Sequence, residues 1–396
     1  MIEPAATATS GLRGWARTGT PLGLFVVLGL PAGAIGVAWP PMRASFGAPL
    51  AGLGLLLAAI TVAYFAGSAV SGPLGWRLPG STLLMTGCIL AAAGLGGVAA
   101  APQWWLLPIV GLPAGLGFGL IDAGVNTQVS LQRGVRYMGW LHASWAIGAA
   151  IGPQLVVASL LLTGSWRGAF ALTGGAFLLF AVIIARGRRD WRGGSDRPES
   201  GAAAAMASAA YRRATMLLAA LLFVAAGLEA TAGDWSYSHL TLGRGMTSAA
   251  AGWAATLFWA GLAGGRIALG TFGNRLPAVR LLDIAIAASA IASLLFWLTP
   301  QAVAGFIALP LLGFSVSVIY PLLLSVTPAR VGASMTGHAV GYSLAAGTVG
   351  GGALPAAIGV VLQAVGLAAL GPALVLLAAA VLGLHLVNRR ASSDRS

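Results

Sequence analysis

Two carboxyl side chains lie deep inside long apolar segments of the sequence, Asp122 in the fourth segment and Glu229 in the seventh. An ionisable residue in an apolar membrane span costs about 2.5–3.5 kcal/mol on insertion scales, which makes each one a candidate for function. A carboxyl in a low-dielectric cavity can take up a proton on one side and release it on the other. We therefore predict that Asp122 and Glu229 carry protons. The structural alternative for each is a hydrogen bond to a neighbouring helix.

Further polar and aromatic residues lie in the apolar segments at helical spacing. Asn126 follows Asp122 by one turn, and His142 precedes Trp145 by one turn. Rings beside hydrogen-bonding groups suit a sugar, whose apolar face stacks while its hydroxyls bond. The predicted substrate-binding residues are Asn126, His142, Trp145, Trp235, Tyr320, His338 and Tyr342. Each of them could instead make a contact between helices.

The sequence carries no pattern typical of an enzyme. Its four histidines are scattered over different segments, and Cys88 is its only cysteine. We find no Cys/His ligand cluster, no Ser/His/Asp arrangement and no phosphate-binding loop. We therefore expect no catalytic site, no metal and no cofactor. A membrane-embedded enzyme or a non-transporting receptor is the weakest of the interpretations considered.

These residues must be held by membrane-spanning helices, because the 396 residues are 58% hydrophobic and only 8% charged. Apolar stretches of about 20 residues, each able to cross a bilayer core of about 30 Å, follow one another along the chain. We predict an all-α membrane protein with twelve transmembrane helices, at residues 21–42, 50–72, 80–101, 104–130, 138–163, 167–185, 214–240, 247–271, 278–298, 301–326, 333–361 and 366–388.

The net charge of +13 lies almost entirely in the connections between these segments. Threading the chain with its N-terminus in the cytoplasm leaves only Arg43, Arg167 and Arg244 on the outer side. This asymmetry predicts that both termini face the cytoplasm, in a bacterial cytoplasmic (inner) membrane. Anionic lipid explains the charge without a nucleic-acid partner. We expect Asp283 to pair with nearby Arg280 at the inner interface.

An internal repeat divides the chain into halves. A shift of 198 residues places Gly75-Trp-Arg77-Leu-Pro79 on Gly273-Asn-Arg275-Leu-Pro277, and both copies fall in short loops. The same shift aligns Gly54 with Gly252 and Gly67 with Gly265. We predict a six-helix half over residues 1–185, a cytoplasmic linker over 186–213 and a second six-helix half over 214–396. Halves of the same topology are related by an axis along the membrane normal.

The span count, the central linker and the repeated loop resemble the major facilitator superfamily over essentially the whole chain. The family's loop after span two usually reads G-x-L-x-D-R-x-G-R. Here Gly72-Pro-Leu74-Gly-Trp76-Arg77-Leu-Pro79 keeps the first Gly, the Leu and the Arg, but has Trp76 at the acidic position. The resemblance implies a secondary transporter with alternating access, in which Arg77 and Arg275 help to hold the inward gate. Ordinary positive-inside anchors are the alternative for both arginines.

A narrower resemblance concerns the fucose/glucose permease branch. The stretches that carry it are Leu120-Ile-Asp122-Ala-Gly-Val-Asn126, Leu141 to Pro153, and Glu229-Ala-Thr-Ala-Gly-Asp234-Trp235-Ser236. It implies that the acid at 122 and the Asn at 126 take part in protonation and sugar binding. The first span, Leu22 to Met42, carries no acid, so we expect Glu229 to complete the coupling pair.

A second motif resembles drug-exporting members of the superfamily, because Gly139, Gly148, Gly152 and Pro153 match much of their antiporter signature. Two transport functions therefore stay open. The first is a proton-coupled symporter for a sugar or similar small polar solute. The second is a proton-driven exporter of amphipathic compounds or metabolites. For either, we expect a monomer in the lipid bilayer whose partners are a small-molecule substrate and protons.

Overall fold

The computed structural model describes residues 7–75, 77–132, 135–188, 191, 209–327, 331 and 336–393. The described residues form a bundle of long helices joined by short loops. These are α1 (Thr7–Phe46), α2 (Gly52–Gly75), α3 (Gly80–Ala100), α4 (Leu106–Gln132), α5 (Val135–Thr163), α6 (Arg167–Arg186), α7 (Ala209–Ser238), α8 (Ser248–Phe272), α9 (Ala278–Leu298), α10 (Gln301–Val326), α11 (Thr336–Val365) and α12 (Leu370–Ser393). Two π-helical turns interrupt the regular geometry, His239–Gly243 after α7 and Ala304–Ala308 within α10.

The predicted all-α membrane fold is confirmed, with twelve helices in two six-helix bundles. Eleven of the described helices are long and apolar enough to cross a membrane, and α8 packs beside them as the twelfth, 25 residues long. In the first half α2 packs on α4, α1 on α5 and α3 on both α4 and α6. In the second half α8 packs on α10, α7 on α11, and α9 on α10 and α12. Most of the predicted linker, 189–190 and 192–208, lies outside the described residues.

The internal repeat is present as repeated backbone contacts. In the first half α4 passes so close to α2 that a Cβ on Gly115 would overlap the carbonyl oxygen of Ile60. In the second half a Cβ on Gly313 would overlap the carbonyl oxygen of Phe258. Gly313 and Phe258 lie 198 positions after Gly115 and Ile60, respectively. The two halves therefore use the same close helix contact, which requires glycine because any side chain would push the backbones apart.

The repeated loops also have matching geometry. Pro79 precedes α3 with φ −57° and ψ 139°, and Pro277 precedes α9 with φ −56° and ψ 136°. Trp76 and the side chain of Asn274 lie outside the described residues. We call the end of the bundle that carries these two loops the Arg77 end, and the opposite end, which carries the turn at Gly47, the Gly47 end.

Hydrogen bonds between described residues join the two halves towards the Gly47 end. There the Ala51 amide donates a hydrogen bond of 2.9 Å to Gln363 Oε1, and Gln154 Nε2 donates one of 3.1 Å to Thr256 Oγ1. In the described part of the chain, α2 thus joins α11 and α5 joins α8 towards this end.

Asp283 has other partners than the sequence led us to expect. Its carboxylate oxygens lie 2.6 Å from His385 Nε2 and 2.7 Å from Arg389 Nη1, both on α12. The predicted pairing with Arg280 was wrong, because Arg280 is exposed on the first turn of α9 while the carboxylate of Asp283 faces α12.

Candidate functional site

Asp122 is held by hydrogen bonds from two helices. Tyr64 Oη on α2 donates to Asp122 Oδ2 at 2.6 Å, and Asn126 Nδ2, one turn along α4, donates to Asp122 Oδ1 at 3.0 Å. The Asn126 amide also donates to the Asp122 carbonyl oxygen at 2.9 Å. Tyr64 reaches the carboxylate because the backbones of α2 and α4 touch at Gly119, one turn before Asp122. The contact is so close that a Cβ on Gly119 would overlap the Tyr64 carbonyl oxygen. Both carboxylate oxygens thus have a defined donor.

Glu229 faces a cation from the neighbouring helix of its own half. Glu229 Oε1 on α7 lies 3.8 Å from Arg266 Nη2 on α8, and each side chain is 19% exposed. The Arg266 guanidinium carbon also lies 5.6 Å from the centre of the Trp145 ring on α5. Arg266 therefore lies between an acid of the second half and an aromatic ring of the first.

Tyr320 on α10 joins the two carboxyls into one electrostatic cluster. Its phenol is close enough to interact electrostatically with Asp122, Glu229 and Arg266, and also with Tyr64. The side chains of Asp122, Glu229 and Tyr320 are all only partly buried, and they come from both halves of the chain. We call the region around this cluster, between the two halves, the central chamber.

Aromatic rings form one wall of the central chamber. Trp145 packs edge-on against Trp259 of α8, with ring centres 5.7 Å apart. The exposed side chain of His142 lies one turn before Trp145, near enough to Arg266 to interact electrostatically. The His142 ring packs edge-on against the Phe25 ring, with ring centres 6.1 Å apart. Rings and polar groups thus alternate along this wall.

The ionisable residues of the central chamber do not follow the internal repeat, although the helices that carry them do. Shifted by 198 residues, Asp122 falls on Tyr320 and Ser68 falls on Arg266. The first half therefore presents a carboxylate where the second presents a phenol, and a hydroxyl where the second presents a guanidinium. Glycine contacts repeat between the halves, whereas the ionisable groups do not.

The structure does not bring every predicted residue to the chamber. The Trp235 side chain is fully buried, and its Nε1 donates to the Pro355 carbonyl oxygen at 2.9 Å, so it joins α7 to α11. Tyr342 is 59% exposed, and its side chain forms no hydrogen bond with another described residue. The side chain of His338 lies outside the described residues.

Arg77 and Arg275 lie at the Arg77 end and are exposed. Arg275 lies 4.7 Å from the centre of the Phe272 ring, within its own half. Among the described residues the Arg77 side chain forms no hydrogen bond or ion pair. Within the part of the chain that the structure describes, no hydrogen bond, ion pair or ring contact joins either arginine to the other half.

Sequence reasoning missed two members of the cluster. Arg266 lies six residues before the end of α8. It could have been identified from the sequence, because a charged residue in an apolar segment is costly and is therefore a candidate for function. Tyr64 carries no comparable signal, because a tyrosine in an apolar helix most often packs or lies at an interface. Its role depends on Asp122, 58 residues away.

A sequence model described as "Major Facilitator Superfamily" matches residues 22–355. An uncharacterized MFS-type transporter of Yersinia pestis is 28% identical over 351 residues, which cover 82% of this chain and 85% of that protein. A solved structure of the nucleoside transporter NupG superposes with a TM-score of 0.77 at 13% identity, covering 95% of this chain and 99% of that chain. A structure of the E. coli fucose:proton symporter FucP gives 0.63 at 16% identity, covering 94% and 98%. Both structural likenesses concern the fold alone.

Proposed function

The chain belongs to the Major Facilitator Superfamily and is a transporter, not an enzyme, and we propose that it couples the movement of a small polar solute, such as a sugar, to protons. The observation that carries this proposal is the cluster in which Tyr320 interacts with one carboxyl from each half, Asp122 and Glu229. A proton-coupled carrier needs a group that gains and loses a proton within reach of its solute. In the central chamber both carboxyls meet that need.

Glu229 and Arg266 supply the step that couples proton to conformation. The Glu229 carboxylate attracts Arg266 while it is ionised, at the 3.8 Å separation seen here. A proton on Glu229 removes the attraction, whereas the contact of Arg266 with the Trp145 ring does not depend on that proton. Because that ring belongs to the other half, proton binding shifts the balance of the Arg266 interactions towards the first half. The proton therefore stabilises the two conformations to different extents, and a coupled alternating-access cycle requires such a difference.

Asp122 and its donors supply a solute site beside the proton site. When Asp122 carries a proton, its carboxyl no longer needs both donors, and the Asn126 amide can turn to a solute hydroxyl. His142 and Tyr320 offer further polar atoms, and Trp145 offers a ring face. Solute binding and Asp122 protonation therefore favour each other, as symport requires.

The glycines that favoured an exporter have a packing role. A Cβ on Gly148 would overlap the Val26 carbonyl oxygen, and one on Gly152 would overlap that of Leu30, so both glycines serve the α1–α5 contact within the first half. A Cβ on Gly139 would meet nothing within 4 Å. The contact with α1 accounts for two of the three glycines, and we keep the symporter as the proposed function.

Orientation and gating complete the proposal. The arginine asymmetry supports cytoplasmic termini in a bacterial inner membrane, so the Arg77 end faces the cytoplasm and the conformation described is open inwards. Arg77 and Arg275 would then close that end in the opposite conformation. We propose that the transporter acts as a monomer.

The test uses purified protein reconstituted in liposomes that contain a pH-sensitive dye. L-fucose, D-glucose and D-galactose are added in turn, and proton entry is recorded with and without an imposed solute gradient. We expect at least one sugar to drive protons in the same direction as itself, and we expect Asp122→Asn and Glu229→Gln to abolish that proton movement. Asp283→Asn is the matched control, because it removes a carboxylate on the α9–α12 contact outside the chamber. If no sugar moves protons through the wild-type protein, the sugar symport proposal fails.

A further inference from the structure

A third carboxyl lies deep in the bundle, outside the cluster of the central chamber. Asp234 on α7 is 7% exposed, and its carboxylate forms no hydrogen bond or ion pair with another described residue. It lies four residues before the end of α7, towards the Gly47 end. An ionised carboxylate that is buried without a partner costs several kcal/mol. In this conformation the group is therefore more stable with a proton than without one.

Part of the cover over Asp234 comes from the opposite half of the chain. A Cβ on Gly36 of α1 would lie 2.6 Å from the Asp234 carbonyl oxygen and 2.9 Å from its Cα, so the two backbones touch. The stretch of α1 from Gly33 to Trp39 is apolar apart from the indole nitrogen of Trp39, which donates to the Leu50 carbonyl oxygen at 3.0 Å. This stretch of α1 therefore helps to bury Asp234 and offers it neither a charge nor a free donor.

The residues on either side of Asp234 are held by its own half. A Cβ on Gly233 would lie 2.6 Å from the Trp259 ring of α8, so α7 and α8 are in close contact there. Trp235 Nε1 donates to the Pro355 carbonyl oxygen of α11 at 2.9 Å. Asp234 is therefore fixed to the second half and faces the first half across a backbone contact.

Among the described residues, no charged side chain compensates Asp234. The helices that pack on α7 are α1, α8, α10, α11 and α12, and their described titratable side chains are Arg43, Arg266, Tyr320, Tyr342, His385, Arg389 and Arg390. Those of α7 and of the turn after it are Tyr211, Arg212, Arg213, Glu229, Tyr237, His239 and Arg244. None of them interacts electrostatically with Asp234.

The nearest of these groups along the chain are engaged elsewhere. His239 Nδ1 lies 2.7 Å from the Leu367 carbonyl oxygen, and the Arg244 guanidinium donates to three carbonyl oxygens around the end of α9. Glu229 faces Arg266 in the central chamber. A change in the charge of Asp234 is therefore not balanced by any of these neighbours.

We propose that Asp234 is a proton-binding site that controls opening at the Gly47 end. While α1 lies against it, the carboxyl keeps its proton, because the ionised form would be buried without a partner. When the halves separate at this end, as alternating access requires, Asp234 stays with α7, loses the cover of α1 and meets water, in which the ionised form is stable. The proton therefore stabilises the form in which Gly36 and Asp234 touch, and its loss stabilises the separated form.

The internal repeat limits this site to one carboxyl. The repeat equivalent of Asp234 is Gly36, so the first half places no second acid at the contact. In the orientation proposed above, the Gly47 end faces the outside, and Asp234 exchanges its proton with the external medium. The direction of proton entry rests on that proposed orientation, whereas the link between the proton and the contact does not. The site goes beyond the coupling role of Asp122 and Glu229, because it governs access to the central chamber.

The test measures how pH changes the separation of the halves at the Gly47 end, in the absence of any solute. Spin labels are placed at Ala44→Cys and Ala249→Cys in a Cys88→Ala background of the full-length protein, and their distance distribution is recorded from about pH 5 to about pH 9. We expect the short distance to dominate in acid. The ratio of separated to touching forms should rise with pH by up to about tenfold per pH unit, which is the limit for one proton.

Asp234→Asn should remove this pH dependence and keep the short distance dominant throughout, because an amide cannot ionise. Asp234→Ser is a second variant with the same expected result, since serine is smaller and cannot ionise in this range either. The double variant Asp122→Asn, Glu229→Gln is the control for the central chamber and should respond to pH as the wild type does. His239→Gln is the control for the histidine nearest along the chain, and it should respond in the same way.

The proposal is overturned if the wild-type distance distribution does not change with pH, or if Asp234→Asn or Asp234→Ser responds to pH as the wild type does. It is also overturned if the double variant of the central chamber loses the response, since Asp122 or Glu229 would then be the responsible group. No solute enters the measurement, so its outcome and that of the sugar and proton assays can be told apart.

Discussion

Gly36 of α1 and Asp234 of α7 hold equivalent positions in the two halves, 198 residues apart, and lie against each other. A residue can touch its own repeat equivalent only if the axis that relates the halves passes between them. The backbones meet there because Gly36 has no side chain, and a Cβ would come within 2.6 Å of the Asp234 carbonyl oxygen. This contact therefore locates the pseudo-symmetry axis and closes the Gly47 end.

Gly36→Ala should open the Gly47 end. The added methyl cannot fit between the two backbones, so it disfavours only the conformation in which they touch. Because Cys88 is the only cysteine, spin labels can be placed at Ala44→Cys and Ala249→Cys in a Cys88→Ala background. We expect the distance distribution between the labels to shift to longer values. Gly175→Ala is the control, since a Cβ at Gly175 meets nothing within 4 Å, and an unchanged distribution in Gly36→Ala would contradict this account of the closed end.

The repeated glycine contacts should be of similar energetic weight in both halves. Gly115→Ala and Gly313→Ala each force a methyl into a carbonyl oxygen of the facing helix, Ile60 or Phe258. Overpacking of this kind costs about 1–3 kcal/mol. Thermal unfolding in detergent should show comparable losses for the two variants and little change for Gly96→Ala, whose Cβ meets nothing within 4 Å. A loss confined to one half would mean that the halves do not share this contact in solution.

Asp122→Asn should separate solute movement from proton movement. An amide has nearly the shape of the carboxyl but cannot carry a proton through the cycle, so exchange of a transported sugar should persist while accumulation driven by a pH gradient disappears. Tyr64→Phe removes one hydrogen bond, worth about 0.5–1.5 kcal/mol, and should slow accumulation only a few-fold. Uptake of the radiolabelled sugar is measured with and without the pH gradient. Tyr237→Phe, a buried tyrosine near the Gly47 end, is the control. Wild-type accumulation by Asp122→Asn would remove Asp122 from the coupling step.

Arg266→Gln should impair transport through Glu229. Without the guanidinium, no other arginine among the described residues is paired with Glu229, so its carboxyl holds a proton more tightly and the coupling step slows. Arg280→Gln, which removes an exposed arginine, should leave uptake unchanged. In a double-mutant cycle, Glu229→Gln should cost less in an Arg266→Gln background than in the wild type. Additive effects on uptake and on thermal unfolding would indicate that the two side chains do not interact.

Several features were accessible from the sequence because each follows from local chemistry. Most predicted spans agree with the observed helices within a few residues. The exceptions include α1, which begins at Thr7, and α11, which ends at Val365 instead of residue 361. The repeat was visible because glycines and loop prolines are constrained by backbone geometry in both halves. Asp122 and Glu229 were found as candidates because a charge in an apolar span is costly wherever the helix lies.

The partners of these groups could not be found in this way. The sequence did not indicate that Tyr64 donates to Asp122, that Arg266 faces Glu229, or that Trp235 is committed to Pro355. Such pairs depend on how each helix is rotated about its axis, and in lipid the apolar faces of a helix are nearly equivalent, so apolar periodicity does not define that rotation.

The sequence by itself thus determined a bundle of membrane-spanning helices in two repeated halves, since apolar length and backbone satisfaction in lipid allow little else. Only the tertiary structure decided which side chains share the central chamber and that Asp234 lies on the axis between the halves. Those relationships come from close backbone contacts at glycines far apart in the chain, and such contacts exist only once the helices are packed together.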